Sequence, residues 1–220
     1  MTTFIVLRHA QSTANERGVL AGQLPGVHLT ATGVSEAEAV RSALSGRKID
    51  RIFTSPLERC LETVEPLAAN RKLKVVTDNR LIEMNYGKWS GKKLKLLSIR
   101  PLWRTIQSAP SQVRFPDGES FVEMAERVRD VLDSLRRKYP NDSILLVTHG
   151  DITKFIATYF LELPLDHLQK FVVKPASLSI YHCKKDKVVI ELFNGSQFPS
   201  TNSLPQSTLG GETGSGNRRR

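Results

Sequence analysis

Two histidines carry the first chemical signal of this chain. His9 follows Arg8 at the end of the apolar run Phe4-Ile5-Val6-Leu7, and His149 follows Thr148 at the end of Ile144-Leu145-Leu146-Val147. A neutral imidazole can serve as nucleophile or base near pH 7. Arg8 adds a permanent cation whose forked donors suit phosphate or carboxylate. Ser12 and Asn15, a few residues on, offer small polar groups to the same spot. A second arginine, Arg59, follows Ser55-Pro56-Leu57-Glu58. That pattern predicts a helix start with Ser55 as cap, Pro56 in the first helical position and Glu58 closing a capping box. In the first turn of such a helix, Arg59 is aimed at an anion. Glu83 stands between apolar neighbours, where burial would raise its pKa. Taken by itself, a loop glutamate paired with a lysine is the plainer reading of that residue.

The elements that must position these groups read as an α/β alternation. Short continuous apolar runs bounded by turn residues fit buried parallel strands, whose carboxyl ends open onto ligand crevices. Two such strands, each delivering a histidine at the same end, would bring both imidazoles into one crevice. The loop Glu16 to Leu29 holds Gly18, Gly22, Pro25 and Gly26, a turn-rich stretch. A helix is expected from Thr30 or Thr32 to Leu44, with Val34, Ala37, Val40 and Leu44 on one face and Gly46 ending it. Arg51 to Thr54 and Lys74 to Thr77 read as strands, and Asp78 to Gly91 as a long loop.

Residues 92–107 form a basic helical region broken near Pro101; it is either a solvated face or a lid over an anionic substrate. Ser120 and Glu123 make a capping box ahead of a helix whose stripe includes Phe121, Met124, Val128, Val131, Leu132 and Leu135. Another helix is expected from Asp151 to Leu161. Ser177 to Cys183 and Lys187 to Phe193 read as an antiparallel hairpin, with His182 facing solvent or packed within it. Residues 1–195 thus form one domain of three-layer α/β/α type, its central sheet mostly parallel with an antiparallel C-terminal hairpin. The tail 196–220 is poor in apolar residues and is expected to be disordered.

Composition narrows the function. With 220 residues, 40% of them hydrophobic and 25% charged, the chain suits one soluble domain with a sizeable core. Cys60 and Cys183 lack paired spacing, which points to reduced thiols in a cytoplasmic protein rather than a disulfide framework or zinc ribbon. No apolar run reaches membrane-spanning length and none forms a secretory signal, so no membrane association is expected. The net charge of +10 is spread over many segments without a nucleic-acid-binding signature. It favours anionic small molecules over nucleic acid.

At this point the residues resemble a family. Arg8-His9-Ala10-Gln11-Ser12-x-x-Asn15 is similar to the first motif of the histidine phosphatase, or phosphoglycerate mutase-like, superfamily. Ser55-Pro56-Leu57-x-Arg59-Cys60-x-x-Thr63 is similar to its second. Glu83 with Gly87-x-Trp89-x-Gly91, Pro116-Asp117-Gly118-Glu119-Ser120 and Thr148-His149-Gly150 follow in the family's order, and the resemblance spans residues 3–193. Ala10 stands where the family has glycine, and Ser90 where glutamate is common.

The resemblance implies His9 as a phosphorylated nucleophile and Glu83 as general acid and base. Arg8, Arg59 and His149 would surround the phosphoryl oxygens. Ser12, Asn15, Gly22 and Gly150 would complete the phosphate site. It further implies that neither metal nor other cofactor is required.

Three functions compete on these residues. The first is a metal-independent phosphomonoesterase acting on small phosphorylated metabolites. A phosphoglycerate-type mutase uses the same pocket but must shield the phosphohistidine from water; the stretch between Glu83 and Phe115 looks shorter than the mutase's substrate-binding insertion. A non-enzymatic scaffold or nucleic-acid-binding module is third, opposed by the presence of all five catalytic groups. A metal hydrolase built on His9, His149, Asp151 and Glu83 is weaker still, since no pair has local metal-site spacing. Oligomeric state stays open, a homodimer included.

Overall fold

The structure, a computed structural model, describes residues 1–185 and 187–196. Strand β1, Thr2–Arg8, leads through a one-turn helix α1, Thr13–Glu16, and a glycine-rich loop into helix α2, Ala31–Ala43. Strand β2, Arg51–Thr54, helix α3, Glu58–Arg71, and strand β3, Val75–Thr77, follow. A long excursion then carries helices α4, Leu94–Leu97, and α5, Pro101–Ser108. Helix α6, Phe121–Lys138, precedes strand β4, Ser143–Thr148, and helix α7, Gly150–Phe160. Strands β5, Leu178–Lys184, and β6, Lys187–Gly195, close the fold.

Among the described residues six strands form one sheet in the order β3-β2-β4-β1-β5-β6. Strands β1 to β4 run parallel, while β5 pairs antiparallel with β1 and with β6. This is the expected mostly parallel sheet with its antiparallel hairpin. Alternation along β1 sends Phe4 and Val6 into the core shared with α6 and α7, and Ile5 and Leu7 into the core shared with α2 and α3. Helices on both faces explain why Phe4 to Leu7 of β1 and Ile144 to Val147 of β4 are apolar without alternation.

The register fixes the site. β4 is inserted between β2 and β1, and Leu7 pairs with Val147 and Arg8 with Thr148. His9 and His149 therefore leave the sheet side by side at the carboxyl ends of neighbouring parallel strands.

Helix α6 forms as its sequence dictates. The Ser120 hydroxyl accepts from Glu123 N–H, the Glu123 carboxylate accepts from Ser120 N–H, and the apolar stripe is buried. Each large side chain of that stripe contributes roughly 1.5–3 kcal/mol on burial.

Other expectations are corrected. Val34 is exposed, and Gly33, Ala37, Val40 and Leu44 form the inner side of α2 instead. Gly33 is drawn in because it abuts the Gln11 backbone. The bounds of α2 are as expected, with Thr30 as its N-cap and Leu44 as its C-cap. Ser55 does not cap α3, which starts at Glu58 after Leu57 in extended backbone. The Glu58 carboxylate accepts from Gly26 N–H rather than closing a capping box.

His182 packs within the hairpin, its Nε2 2.7 Å from Glu191 and its Nδ1 3.0 Å from Thr3 Oγ1. Both cysteines are buried free thiols. Among the described residues no helix is long and apolar enough to cross a membrane. The tail expected to be disordered lies outside the described residues apart from Ser196.

Candidate active site

A cavity of about 430 Å³ opens at the carboxyl ends of β1 and β4. Arg8, His9, Ser12, Asn15, Gly22, Arg59, Glu83 and Gly150, picked out from widely separated motifs, all line it. His149 is the exception. It is fully buried beside His9, the ring centroids 5.2 Å apart in an edge-to-face arrangement, and is not part of the cavity wall.

His9 owes its state to its neighbours. Its Nδ1 lies 2.7 Å from the Ala10 carbonyl oxygen, which can only accept. The proton therefore sits on Nδ1 and leaves the lone pair of the neutral ring on Nε2. Burial, then the charges of Arg59 and Arg8, hold the imidazolium form well below the usual histidine range. Ala10 is accommodated without a glycine: its side chain is buried and its N–H donates to Thr63 Oγ1 at 3.0 Å. Thr63 in turn donates to the Arg59 carbonyl, linking the β1 end to the first turn of α3.

The arginines are held by backbone carbonyls, not by carboxylates. Arg8 Nη1 donates to Val173 O at 2.6 Å, and Arg59 Nη2 to Gly22 O at 2.7 Å. Arg8 Nε and Arg59 Nη1 are buried with no hydrogen-bond partner among the described residues. Buried guanidinium donors left unpaired are costly, and they suit an incoming anion.

Gly22 takes a left-handed φ of +55°, and a Cβ there would meet Ser90 Oγ at 2.9 Å. Gly150 is the first residue of α7, and its Cα side lies against the Arg8 guanidinium, 3.5 Å from where a Cβ would stand. Ser12 caps α1 and donates through both N–H and Oγ to Asn15 Oδ1.

His149 Nε2 lies 2.7 Å from Ser55 Oγ and 3.4 Å from Cys60 Sγ. Burial, then Arg59 and His9, also hold His149 well below the usual histidine range. The Cys60 thiol is pushed up to about 12 by burial and stays protonated.

Glu83 is buried, and no lysine pairs with it among the described residues. Its Oε1 accepts from Met84 N–H at 3.0 Å, while its carbonyl accepts from Gln23 and Arg127. Burial foremost, with the nearby Asp151 carboxylate, pushes the Glu83 carboxyl up to about 7. Asp151 shows the reverse. Burial opposes its charge, but Lys154, the Tyr86 hydroxyl and Arg8 hold it below the usual carboxylate range. Tyr86 donates to Asp151 Oδ2 at 2.7 Å and Lys154 to Oδ1 at 3.1 Å. The environments of these two neighbouring carboxyls thus push their pKa values apart, Glu83 up and Asp151 down.

The sequence reading missed Tyr86, Lys154, Gln23 and Arg127, and weighed Asp151 only as a metal ligand. Asp151 sits two residues past His149 on the first turn of α7, which was a usable signal. Lys154, three residues further along the same helix, shares that local signal, whereas Tyr86, Gln23 and Arg127 are joined to the site only by the fold. Among the described residues, no three His, Cys, Asp or Glu side chains gather as a metal-ligand group.

The sheet order, the strand-end histidines and the paired arginines define a phosphoryl-handling α/β protein, and comparison with known proteins agrees. Residues 4–196 match the model of the histidine phosphatase superfamily (branch 1). The chain belongs to that family. It is 29% identical over 196 residues to phosphoserine phosphatase 1 of Hydrogenobacter thermophilus, covering 88% of this chain and 92% of the relative. It is 27% identical over 191 residues to a 2,3-bisphosphoglycerate-dependent phosphoglycerate mutase of Thermoplasma acidophilum, covering 82% and 86%. A crystal structure of a phosphoserine phosphatase mutant from Entamoeba histolytica in complex with phosphoserine superposes with a TM-score of 0.81. Its sequence identity is 25%, and the match covers 90% of this chain and 98% of that one.

Proposed function

We propose that the protein is a phosphomonoesterase that hydrolyses small phosphorylated metabolites through a phosphohistidine on His9, with residues 1–195 as its catalytic unit. The observation that carries this reading is a neutral His9, its Nε2 lone pair free, beside buried arginine donors without partners among the described residues.

In the first step His9 Nε2 attacks phosphorus as the P–O bond to the leaving alcohol breaks. Nδ1–H keeps its bond to the Ala10 carbonyl throughout. Arg8 and Arg59 hold the equatorial oxygens, where charge must be stabilised. The protonated Glu83 carboxyl gives its proton to the leaving oxygen. In the second step the Glu83 carboxylate takes a proton from water as that water attacks phosphorus, the P–N bond breaks, and neutral His9 returns. Ser12, Asn15, Gly22 and Gly150 shape the phosphate end. His149, braced by Ser55, packs edge-on against the His9 ring and holds it in place. No step calls for a metal.

Trapping with a radiolabelled phosphate ester tests the reading. The expected adduct is acid-labile, alkali-stable and located on His9, and His9→Ala should lose turnover by orders of magnitude. Turnover should persist in EDTA and need no bisphosphate primer. Wild-type turnover in His9→Ala would refute the mechanism. A primer requirement with little hydrolysis of any ester would show a mutase.

A further inference from the structure

A large apolar part of the cavity wall takes no part in the chemistry above. Leu20, Trp89, Trp103, Ile106, Phe115 and Phe171 line that part of the cavity, and Leu94 and Val172 continue the apolar surface outward. Leu94 is 38% exposed and Val172 70% exposed, while Trp89, Ile106 and Phe115 are buried, so the apolar lining includes both enclosed and exposed side chains.

The segment 92–107 contributes its apolar side chains to this wall but not its cations. Lys92, Lys93, Lys95, Arg100 and Arg104 are exposed and absent from the cavity wall, while Leu94, Trp103 and Ile106 from the same segment form it. Of the two readings of this segment, the placement of its cations fits a solvated face.

Besides Arg8 and Arg59, one cation lines the cavity among the described residues. It is Lys154, and its ammonium already donates to Asp151 Oδ1 and, at 2.8 Å, to Gln169 Oε1. A carboxylate brought there would also meet Asp151 and, after each turnover's first proton transfer, Glu83. The two arginines are taken up by the phosphate. A second anionic group on the substrate has no unshared cation on the described cavity wall, whereas an apolar group has a long surface to cover.

We propose that this site selects phosphate monoesters of apolar, uncharged alcohols, aromatic or branched aliphatic, over phosphorylated carboxylates. The inference rests on the phosphatase reading and specifies its substrate class. The aromatic side chains supply flat, rigid contact area at little entropic cost. Each methylene buried in such a pocket is worth roughly tenfold or more in kcat/KM. The exposed continuation at Leu94 and Val172 accepts an alcohol longer than the enclosed part of the cavity.

The test compares kcat/KM for matched esters on the full-length protein: phenyl against 4-carboxyphenyl phosphate, and butyl and hexyl phosphate against phosphoserine and 3-phosphoglycerate, with p-nitrophenyl phosphate as reference. The expected result is a preference of at least about tenfold for the apolar member of each pair, rising from butyl to hexyl.

Leu94→Arg, at an exposed position where folding is not at stake, should narrow the gap by weakening hexyl phosphate and improving the carboxylates. Trp103→Arg should do so more strongly. A protein that hydrolyses p-nitrophenyl phosphate but prefers phosphoserine or 3-phosphoglycerate overturns this inference and leaves the phosphatase reading intact. An unchanged preference in Leu94→Arg and Trp103→Arg, both folded, also overturns it. Inactivity toward every ester overturns both readings.

Discussion

At the scale of single residues, Glu83 carries the sharpest tension between stability and activity. Its carboxyl is held up to about 7 by burial and by Asp151. An unfolded glutamate titrates near 4.5. Between these values the folded chain keeps a proton that the unfolded chain has lost. Stability therefore falls as pH rises through that window, and stays reduced above it. Glu83→Gln removes the ionisable group but keeps the shape. The variant should match or fall below the wild type at pH 5 and exceed it at pH 8, by on the order of 1–3 kcal/mol in thermal or urea unfolding. The same change should slow alkyl phosphate hydrolysis by about 10²–10⁴-fold. With p-nitrophenyl phosphate, whose leaving group needs no proton, the mutant should give a stoichiometric burst before a slow steady state. In the wild type, kcat for alkyl esters should decline above about pH 7 as the acid is lost, while the acid limb lies well below the ordinary histidine range because His9 resists protonation. A mutant whose stability advantage does not grow with pH would remove the buried-carboxyl account.

Between residues and the whole lie the elements, and here Gly33 is decisive. It sits in the first turn of α2, where an ordinary Gly→Ala change gains about 0.5–1 kcal/mol. A Cβ at Gly33 would run into the Gln11 carbonyl oxygen, far inside van der Waals contact. Gln11 directly follows Ala10, whose carbonyl fixes the His9 tautomer. Overpacking of this kind costs typically about 1–3 kcal/mol or more, so the clash outweighs the propensity gain. Gly33→Ala should lower both Tm and kcat, and a variant with raised Tm would show that the Gln11 loop yields freely.

The elements also show what the sequence could and could not disclose. Strands β1 and β4 and helix α6 were legible, since a continuous apolar run and a capped amphipathic stripe each have one economical fold. The start of α3 was not. Ser55, Pro56 and Glu58 satisfy every local rule for a cap, yet the Ser55 hydroxyl accepts from Leu57 N–H and lies against His149. A contact across 94 residues overrode a local one. Val34 was misread for a similar reason, because a glycine's closeness to another backbone leaves no mark in hydropathy. Tyr86 left no mark in the sequence because its partner, Asp151, arrives from a helix more than sixty residues further on, whereas Lys154, three residues after Asp151 on that helix, reads as an ordinary surface ion pair.

For the whole molecule, the question is which parts of the chain hold the site and which only hold the fold. The answer turns on β6, the edge strand, whose Glu191 is buried between Arg47 and His182. Arg47 donates to both Glu191 oxygens, and the far nitrogen of His182 lies against Thr3 at the start of β1. The last strand is thereby tied to the first. Thr3 lies six residues before His9 on an extended strand, a separation of about 20 Å. The triad should thus support the fold without touching the chemistry. Removing one partner of a buried pair strands the other charge, at a cost of roughly 3–5 kcal/mol. For a domain of this size, that lowers Tm by roughly 10 °C.

Two shortened chains and one substitution test this division. A chain ending at Ser196 keeps both cores, the triad and every cavity residue, and should retain the Tm and kcat of the full chain. A chain ending at Lys184 loses β6 and should fail to fold stably. Glu191→Ala should lower Tm by the amount above, yet keep kcat on p-nitrophenyl phosphate at temperatures well below its transition. A chain ending at Ser196 that folds normally but loses most of its kcat would place part of the site in residues 197–220. A Glu191→Ala protein that keeps its Tm but loses kcat would mean that the triad acts on the chemistry through β1.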